Sequence, residues 1–240
     1  MSALPLFYQE SVFSTGSEFW LDEDTARHIV QVLRMPVGAI LQLTDGNGAE
    51  ANATITIAEK KKCKVLITHI VQHAPRHAIL HLAVAFTKNT SRNEWLLEKA
   101  TELGIASITP LITARTERER IRYDRWKGIL VAAIIQSQQY HLPTLNEAST
   151  LQDLIQKCNS IPQKLIGHCI DNIARVPLAD AMKPKQETII LIGPEGDFTQ
   201  LEVDSCMQHG YKGILMGNTR LRTETAAMAA CAYFNLIDHD

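Results

Sequence analysis

The spacing of apolar and polar residues divides the chain into two parts near residue 75. In the first part, β-branched and aliphatic residues come in short runs between turn signals, which predicts antiparallel strands. The predicted strands cover 37–44, 53–58 and 64–71. Asp45-Gly-Asn-Gly48 is a strong turn signal after the first of them. A helix is predicted from a cap at Asp22 or Asp24 to about Leu33. A small β-barrel over residues 1–74 accounts for this pattern.

After residue 75 the pattern alternates between apolar runs and helical segments that begin with capping residues. The predicted strands cover 79–86, 105–112, 164–167, 188–192 and 213–216. The predicted helices cover 91–103, 124–138, 150–157, 199–210 and 223–237. Ser91 to Glu94 and Thr199 to Glu202 fit capping boxes, and Asp124 is the predicted cap of the second helix. Gly104 and Gly210 suit helix ends. The alternation is typical of an α/β domain with a largely parallel sheet and helices on both faces.

Two glycine-rich turns stand at the ends of the last two predicted strands. The first is Leu191-Ile-Gly-Pro-Glu-Gly-Asp-Phe198, and the second is Met216-Gly-Asn-Thr-Arg-Leu-Arg-Thr-Glu-Thr-Ala226. Each follows an apolar run and opens a helix, so that backbone N–H groups and small residues surround a ligand. Because ligands bind at the carboxyl ends of parallel strands, we expect one pocket built from both turns. The chain has neither a G-x-G-x-x-G fingerprint after the first α/β strand nor a P-loop motif, which disfavours both nucleotide-binding classes.

Composition and charge narrow the classes of function. The chain has 240 residues, of which 45% are hydrophobic and 21% charged, as in an ordinary globular protein. No apolar run is long enough to span a bilayer, and the N-terminus shows no secretory signal pattern. The five cysteines form no C-x-x-C pair, and free thiols predict a reducing, cytoplasmic location. With a formal net charge of −2, any binding to nucleic acid must come from local basic patches.

The segment from residue 113 to residue 125 is rich in arginine and contains no lysine. It can be explained as a loop held by surface ion pairs, since Glu117, Glu119 and Asp124 are interspersed. The planar guanidinium also suits phosphates and stacks on bases, and we favour contact with RNA. The candidate RNA-binding residues are Arg115, Arg118, Arg120, Arg122 and Arg125 in this segment, with Arg34, Lys88 and Arg92 elsewhere in the chain.

Two other clusters carry weaker signals. Four histidines recur every four residues, namely His69, His73, His77 and His81. A proline interrupts this run, and both of its flanks are predicted strands. Their side chains cannot converge from an extended chain, so we predict no metal site. Lys60-Lys-Lys62 fits a solvated hairpin as well as it fits a contact with phosphates.

The residues of the two turns resemble a known enzyme family. Gly193-Pro-Glu-Gly196, and then Gly217 with Leu221-Arg-Thr-Glu-Thr-Ala226, are similar to the SPOUT-class RNA methyltransferases. Within that class they resemble the ribosomal RNA small subunit methyltransferase E family. Further segments that resemble this family are His28-Ile-Val-Gln-Val-Leu-Arg-Met35, Glu98-Lys-Ala-Thr-Glu-Leu-Gly104 and Gln136-Ser137 followed by Pro143. The likeness therefore runs along the whole chain.

The resemblance implies both a fold and a reaction. It implies a PUA-like RNA-binding β-barrel over 1–74 and, over 75–240, a SPOUT α/β-knot methyltransferase domain with a deep trefoil knot. It further implies a homodimer that uses S-adenosyl-L-methionine, with no metal and no membrane partner. The implied reaction is methylation of N3 of one uridine of 16S ribosomal RNA, uridine 1498 in reference numbering. The substrate is either the free small-subunit RNA or the assembled small subunit.

The resemblance and the position of the turns together nominate the site residues. The cofactor-binding candidates are Gly167, His168, Ile192, Gly193, Pro194, Glu195, Gly196, Met216, Gly217, Asn218, Leu221, Thr223 and Thr225. The catalytic candidates are Arg222 and Glu224. Loss of the N3 proton spreads negative charge to uracil O2 and O4, and Arg222 is expected to stabilise that charge. Glu224 either takes the proton, orients Arg222 or has only a structural capping role.

Two positions depart from the family pattern. Gln138-Gln139 stands where Gly-Arg or Cys-Arg is expected, so any RNA contact of that arginine would shift, for example to the 115–125 segment. Asp197 stands where a second glycine is common, but aspartate accepts turn conformations and can cap helices. Two other functions stay open. One is a SPOUT ribose 2′-O-methyltransferase, and the other is a catalytically silent RNA-binding factor for ribosome assembly.

Overall fold

The computed structural model describes residues 4–75, 79–117 and 121–237, which form two compact units. One unit consists of residues 4–75 together with Ile134–Leu142, and the other contains the remaining described residues. The sequence-based boundary at 74/75 assigns 134–142 to the second domain, whereas the structure groups this segment with the first unit. His77, Arg118 and Arg120 lie outside the described residues.

The first unit is built around a five-stranded sheet. Its strands are β1 (Leu6–Tyr8), β2 (Glu18–Trp20), β3 (Ile40–Thr44), β4 (Ala49–Glu59) and β5 (Lys62–Gln72). Their order is β1-β3-β4-β5-β2; β1 is parallel to β3, and the other pairs are antiparallel. The three predicted strands are confirmed as β3, β4 and β5. β1 and β2 have three residues each, too few for a period-two pattern to show.

A helix covers this sheet, as the sequence predicts. α1 (Glu23–Arg27) continues into a π-helical turn at His28–Val32 and packs against β5. Asp22 is the N-cap, because its side chain accepts a backbone hydrogen bond from the first turn at 2.9 Å. Ala26 and Ile29 are fully buried and join the core of the unit.

The segment Ile134–Leu142 belongs to the first unit because of backbone bonds and an aromatic stack. Gly48 N donates to Tyr140 O at 2.8 Å, and the Tyr140 ring stacks on His73 with the ring centroids 4.4 Å apart. Burial, and then the nearby Glu50 carboxylate, raise the pKa of Tyr140 to about 12. These contacts join residues that are far apart in the chain, so no local pattern in the sequence reports them.

The second unit is an α/β domain with a parallel sheet. Its strands are β6 (Leu80–Val84), β7 (Ser107–Ile112), β8 (Thr144–Leu145), β9 (Ser149–Thr150), β10 (Gln163–Gly167), β11 (Val176–Pro177), β12 (Thr188–Ile192) and β13 (Lys212–Leu215). Its helices are α2 (Thr90–Glu102), α3 (Tyr123–Gln136), α4 (Leu151–Lys157), α5 (Leu178–Ala181), α6 (Gln200–Gln208) and α7 (Thr223–Ile237). The strand order is β11-β13-β10-β12-β6-β7-β8, β9 also pairs with β7, and these pairs are parallel. The predicted α/β class is confirmed.

The middle of this sheet is buried on both faces. Every residue of β12 is buried, and so is most of β6. Continuous burial of this kind is expected for a parallel strand with helices on each side. α7 packs against α2, β6 and β12, and it begins and ends where the sequence predicts. Within the described residues, no helix is both long and apolar enough to cross a membrane.

In the second unit, one predicted N-cap is confirmed and two are wrong. Thr199 and Glu202 form the capping box of α6 as predicted. α2 is capped by Asn89, whose side chain accepts a backbone hydrogen bond at 3.1 Å, and not by Ser91. Asparagine caps as well as serine and comes first here, so Ser91 falls inside the helix. Asp124 also lies inside the first turn of its helix, where its charge still suits the helix dipole.

The last strand of the sheet is enclosed by chain that precedes it. β13 lies between β10 and β11, and the chain crosses over β13 on its way from β10 to β11. At the crossing, a Cβ on Gly213 would lie 2.6 Å from His168 Nε2 and 2.8 Å from Ala174 O. The chain then returns through α5, which also packs against β13, and enters β12 on the other side of β10. β13 thus lies between two strands that precede it in the chain, a strand order consistent with the α/β-knot fold.

We predict that Gly213→Ala destabilises the protein, because the crossing backbone at Ala174 leaves no room for a methyl group. Overpacking of this kind costs about 1–3 kcal/mol. Gly128→Ala is the matched control. Gly128 is exposed in α3 with open space around it, so alanine there should stabilise the helix by up to about 1 kcal/mol. Denaturant unfolding measures both changes, and equal stabilities of the two variants would show that the crossing tolerates a side chain.

Candidate active site

Three adjacent strands of the parallel sheet, β13, β10 and β12, end at one cavity of about 690 Å3. Because parallel strands direct their carboxyl ends the same way, the two glycine turns and the end of β10 meet at one edge. The predicted cofactor-binding residues that line the cavity are Gly167, His168, Ile192, Gly193, Pro194, Glu195, Met216, Gly217, Asn218, Leu221 and Thr223. Gly196 and Thr225 lie outside this lining. The structure therefore brings residues of both turns into one site.

The first glycine turn is a tight β-turn between β12 and α6. Asp197 N donates to Pro194 O at 2.9 Å, and a Cβ on Gly193 would lie 2.9 Å from the Phe198 ring. Asp197 has a φ of 64°, a left-handed conformation that aspartate tolerates better than most residues. Its carboxylate accepts hydrogen bonds from Phe198 N and Cys169 N, both at 2.8 Å. The residue that departs from the family pattern therefore ties the first turn to the end of β10.

The second glycine turn is fastened to the first by hydrogen bonds. Thr223 Oγ1 donates to Gly193 O at 2.9 Å, and Arg220 Nη2 lies 3.5 Å from Glu195 O. Gly217 has a φ of 115°, which only glycine adopts without strain. A Cβ at this position would meet no atom within 4 Å. The second turn thus leaves open space beside its backbone at the wall of the cavity.

His168, directly after β10, lines the cavity, and its ring is buried. The residue is 5% exposed, Nδ1 accepts from Ile170 N at 3.2 Å, and Nε2 has no partner among the described residues. With Nδ1 as the acceptor, the neutral ring carries its proton on Nε2. Burial, and then the nearby Arg175 guanidinium, lower the pKa of His168 and favour this neutral ring. Arg175 also donates to His168 O at 3.0 Å, which holds the loop after β10 in place.

Several residues of the lining were missed by the sequence reasoning, above all those in the loop after β10. The lining residues outside the predicted cofactor set are Cys169, Asp171, Arg175, Asp197, Ile214, Leu215, Thr219, Arg220, Arg222 and Ala226. The available signal was a polar stretch directly after a buried parallel strand, the same position that identified the two turns. That stretch carries no glycine motif, so it did not stand out.

The two catalytic candidates have different surroundings. Arg222 is exposed and lines the cavity. Glu224 is buried and does not belong to the described lining; its Oε1 lies 3.5 Å from Arg92 Nε. The other oxygen, Oε2, has no hydrogen-bond partner among the described residues. Arg92 Nη1 also lies 3.8 Å from Glu195 Oε1. Arg92 of α2 therefore stands between a carboxylate of the first turn and a carboxylate at the start of α7.

Four of the residues nominated for RNA binding have partners inside the protein. The partners are Gly196 O for Arg115, Glu94 for Arg125, Glu117 for Lys88, and both Glu195 and Glu224 for Arg92. Arg34 and Arg122 are exposed. Arg118 and Arg120 are not among the described residues. The Lys88–Glu117 pair joins two loops and the Arg125–Glu94 pair joins α3 to α2. Exposed ion pairs of this kind contribute little stability.

The histidines considered for metal binding contact ordinary polar groups. His73 bonds to Glu50, and His81 bonds to Ser107 and Glu187. In the parts of the chain that the structure describes, no group of three or more potential ligands is arranged to hold a metal ion.

Comparison with known proteins shows the family. Residues 74–235 match the family model for the RNA methyltransferase domain, and residues 21–68 match that for the RNA methyltransferase PUA domain. The ribosomal RNA small subunit methyltransferase E of Rickettsia conorii is 30% identical over 232 residues, which cover 96% of this chain and 94% of the relative. The chain belongs to the ribosomal RNA small subunit methyltransferase E family. It is therefore an RNA methyltransferase.

Solved structures of similar proteins share the fold over nearly their whole length. A probable rRNA-methyltransferase from Porphyromonas gingivalis is 34% identical, with a TM-score of 0.90 and 98% of each chain covered. The methyltransferase E of Neisseria gonorrhoeae, bound to S-adenosyl methionine, is 26% identical, with a TM-score of 0.85 and 98% of each chain covered. A putative methyltransferase from Legionella pneumophila, in complex with the same cofactor, is 28% identical, with a TM-score of 0.87 and 100% of each chain covered. The expected fold, a SPOUT α/β domain after a PUA-like barrel, is confirmed.

We predict that Thr223→Val lowers the free energy of unfolding. Valine keeps the shape of the side chain but has no donor for the buried Gly193 O. Leaving a buried acceptor without its donor costs about 1–3 kcal/mol. Thr225→Val, two residues along α7 and exposed, should change the free energy of unfolding by no more than about 0.5 kcal/mol. Urea unfolding of the two variants measures this difference. Similar values for both would mean that the bond between the turns adds nothing to stability.

Proposed function

We propose that this methyltransferase binds S-adenosyl-L-methionine in the cavity at the ends of β13, β10 and β12. We further propose that it methylates N3 of one uridine of the small-subunit ribosomal RNA, uridine 1498 in reference numbering. The convergence of two glycine turns and a third strand end on one cavity carries the proposal. Support also comes from the Neisseria and Legionella proteins, which have the same fold and bind this cofactor.

The residues around the cavity suit this cofactor. A volume of about 690 Å3 lies within the usual range for cofactor pockets. Gly217 leaves its backbone open to close approach, His168 lines the wall, and Asp171 offers a carboxylate. These groups match a ligand that carries hydroxyls, a carboxylate and positive charge. Backbone groups of 192–195 and 216–221 would hold it, with Asp171 as a polar partner.

The protein's part in the chemistry is positioning and the stabilisation of charge. The bound cofactor supplies a methyl group that is already electrophilic, so alignment with the acceptor nitrogen is the main requirement. When N3 loses its proton, negative charge spreads to uracil O2 and O4. Arg222 is exposed at the cavity wall, and in this proposal its guanidinium stabilises that charge. Because N3 lies on the pairing edge, the base must enter unpaired.

Glu224 acts through Arg92 in this proposal. Its carboxylate is buried beside Arg92 and away from the described lining of the cavity, so direct removal of the N3 proton is not the role that its surroundings favour. Arg92 also reaches toward Glu195 in the first turn. We infer that Glu224 and Arg92 together keep the first turn close to the start of α7.

RNA capture in this proposal uses basic side chains of both units. Arg34 in the first unit and Arg122 in the second are exposed and available to phosphates. Arg125 and Lys88 are held in surface ion pairs. Because such pairs are weak, a phosphate can take the place of the carboxylate at little cost. This assignment leaves Arg92 and Arg115 to roles inside the protein.

Mapping of methylated nucleosides in the small-subunit ribosomal RNA tests the proposed reaction. RNA from cells that lack the protein should miss one 3-methyluridine, and purified protein with S-adenosylmethionine should restore it. A methyl group on the ribose would identify a 2′-O-methyltransferase instead. Calorimetric titration with S-adenosylmethionine distinguishes an active methyltransferase from a catalytically silent assembly factor, because the silent factor need not bind the cofactor.

We also propose a homodimer joined through α7. The helix is buried along one side by α2, β6 and β12, yet Leu236 on it remains 63% exposed. α2, which packs against α7, exposes 46% of Trp95. Exposed apolar residues on two packed helices favour burial against another chain. Light scattering at micromolar concentration should report about twice the 26.8 kDa of one chain. A monomer with full activity would exclude this assembly.

We predict that Arg222→Ala slows the methyl-transfer step about a hundredfold to a thousandfold, the usual effect of removing one donor to a developing oxyanion. Arg222→Lys should rescue poorly, because the charge remains but the planar fork of donors is lost. RNA affinity should change much less than the rate. Single-turnover rates at saturating RNA and cofactor separate the two effects. A near-normal rate in the alanine variant would leave Arg222 with a binding role only.

A further inference from the structure

Arg115 lies at the outer side of the first glycine turn. Its Nη1 donates to Gly196 O at 2.7 Å. A Cβ on Gly196 would lie 3.4 Å from Arg115 Cδ and 3.5 Å from Arg115 Cβ, so the stem of the arginine packs where a side chain on the glycine would point. Gly196 does not line the cavity, whereas Gly193, Pro194 and Glu195 do. The arginine thus holds the turn from the side opposite the cavity.

The backbone that carries Arg115 is itself fixed. Ala114 N donates to Glu202 Oε1 at 2.8 Å, and Thr113 N donates to Thr116 Oγ1 at 2.9 Å. The other oxygen of Glu202 belongs to the capping box at the start of α6. The start of the arginine-rich segment is therefore bonded to the turn through Arg115 and to α6, the helix that follows the turn, through Ala114. An arginine whose only task is to meet phosphates needs no such attachment.

We propose that Arg115 is a positioning residue for the cofactor-binding turn and not a phosphate contact. The Pro194–Asp197 β-turn contains Gly196, the residue type with the greatest freedom in the backbone. The guanidinium removes that freedom by holding the carbonyl of this glycine. The turn then presents a fixed wall to the cofactor before it binds, and less conformational entropy is lost on binding. The inference rests on the proposed cofactor site.

Calorimetric titration of S-adenosylmethionine into three forms of the full chain tests this role. Wild-type protein is measured first, and a failure to bind would count against the proposed cofactor site itself. Arg115→Met keeps the packing stem and removes the donor. We expect about tenfold weaker cofactor binding in this variant, because the freed turn must then be ordered when the cofactor binds. Arg122→Gln is the matched comparison, because Arg122 is an exposed arginine near the same segment, and its cofactor affinity should equal that of the wild type.

RNA binding measured over a range of salt concentration gives the second readout. Arg115→Met should keep the salt dependence of the wild type, whereas Arg122→Gln should flatten it by roughly one released counterion. In steady-state kinetics, Arg115→Met should raise KM for the cofactor much more than it lowers kcat. Unchanged cofactor affinity in Arg115→Met, with or without a flatter salt slope, would overturn the proposal. Circular dichroism and thermal unfolding verify that the variant is folded, and Arg115→Lys, which keeps a donor, should recover part of the affinity.

Discussion

The site at the ends of the parallel strands depends on the crossing of the chain over β13 at Gly213. The backbone of Ala174 and the ring of His168 occupy the space where any side chain at this position would stand. The crossing keeps β13 between β10 and β11, and it is this placement that sets the second glycine turn beside the end of β10. The first turn follows β12, on the other side of β10. The cavity is lined by residues that follow all three of these strands.

The two turns are then fixed to each other and to their surroundings by polar contacts. Thr223 binds the carbonyl of Gly193, and Asp197 binds the end of β10. Arg92 and Arg115 hold the first turn from outside, one through a carboxylate and the other through a backbone carbonyl. A cofactor site built from glycine-rich backbone has little stiffness of its own. We infer that Arg92 and Arg115, which charge alone would assign to RNA, add stiffness to the proposed cofactor site.

His168 is a buried polar group held at the crossing beside β13. The ring is enclosed beneath the loop after β10, and burial together with Arg175 keeps it neutral. Its Nδ1 is used by the backbone, which leaves the proton on Nε2 without a partner among the described residues. A buried donor without a partner is costly in a folded protein unless a ligand or water satisfies it. This nitrogen is packed against β13, since a Cβ on Gly213 would lie 2.6 Å from it.

The sequence by itself determined the α/β class, the barrel before it and the two turns of the site. Apolar periodicity, capping residues and glycine placement are local, and the physics that links them to strands, helices and turns acts over a few residues. The exact agreement of α7 and β12 with their predicted bounds, and the capping box of Thr199, follow from such local rules.

Only the tertiary structure decided which residues that are far apart in the chain come into contact. The return of 134–142 to the first unit, the loop after β10 in the cavity wall and the pairing of Glu224 with Arg92 each join distant residues. The sequence shows that Arg115 is basic, but its bond to Gly196 O exists because β7 and β12 bring their following loops together. Whether an arginine binds a phosphate or a carbonyl of its own chain depends on how closely these two loops approach each other. No local pattern in the sequence reports that distance.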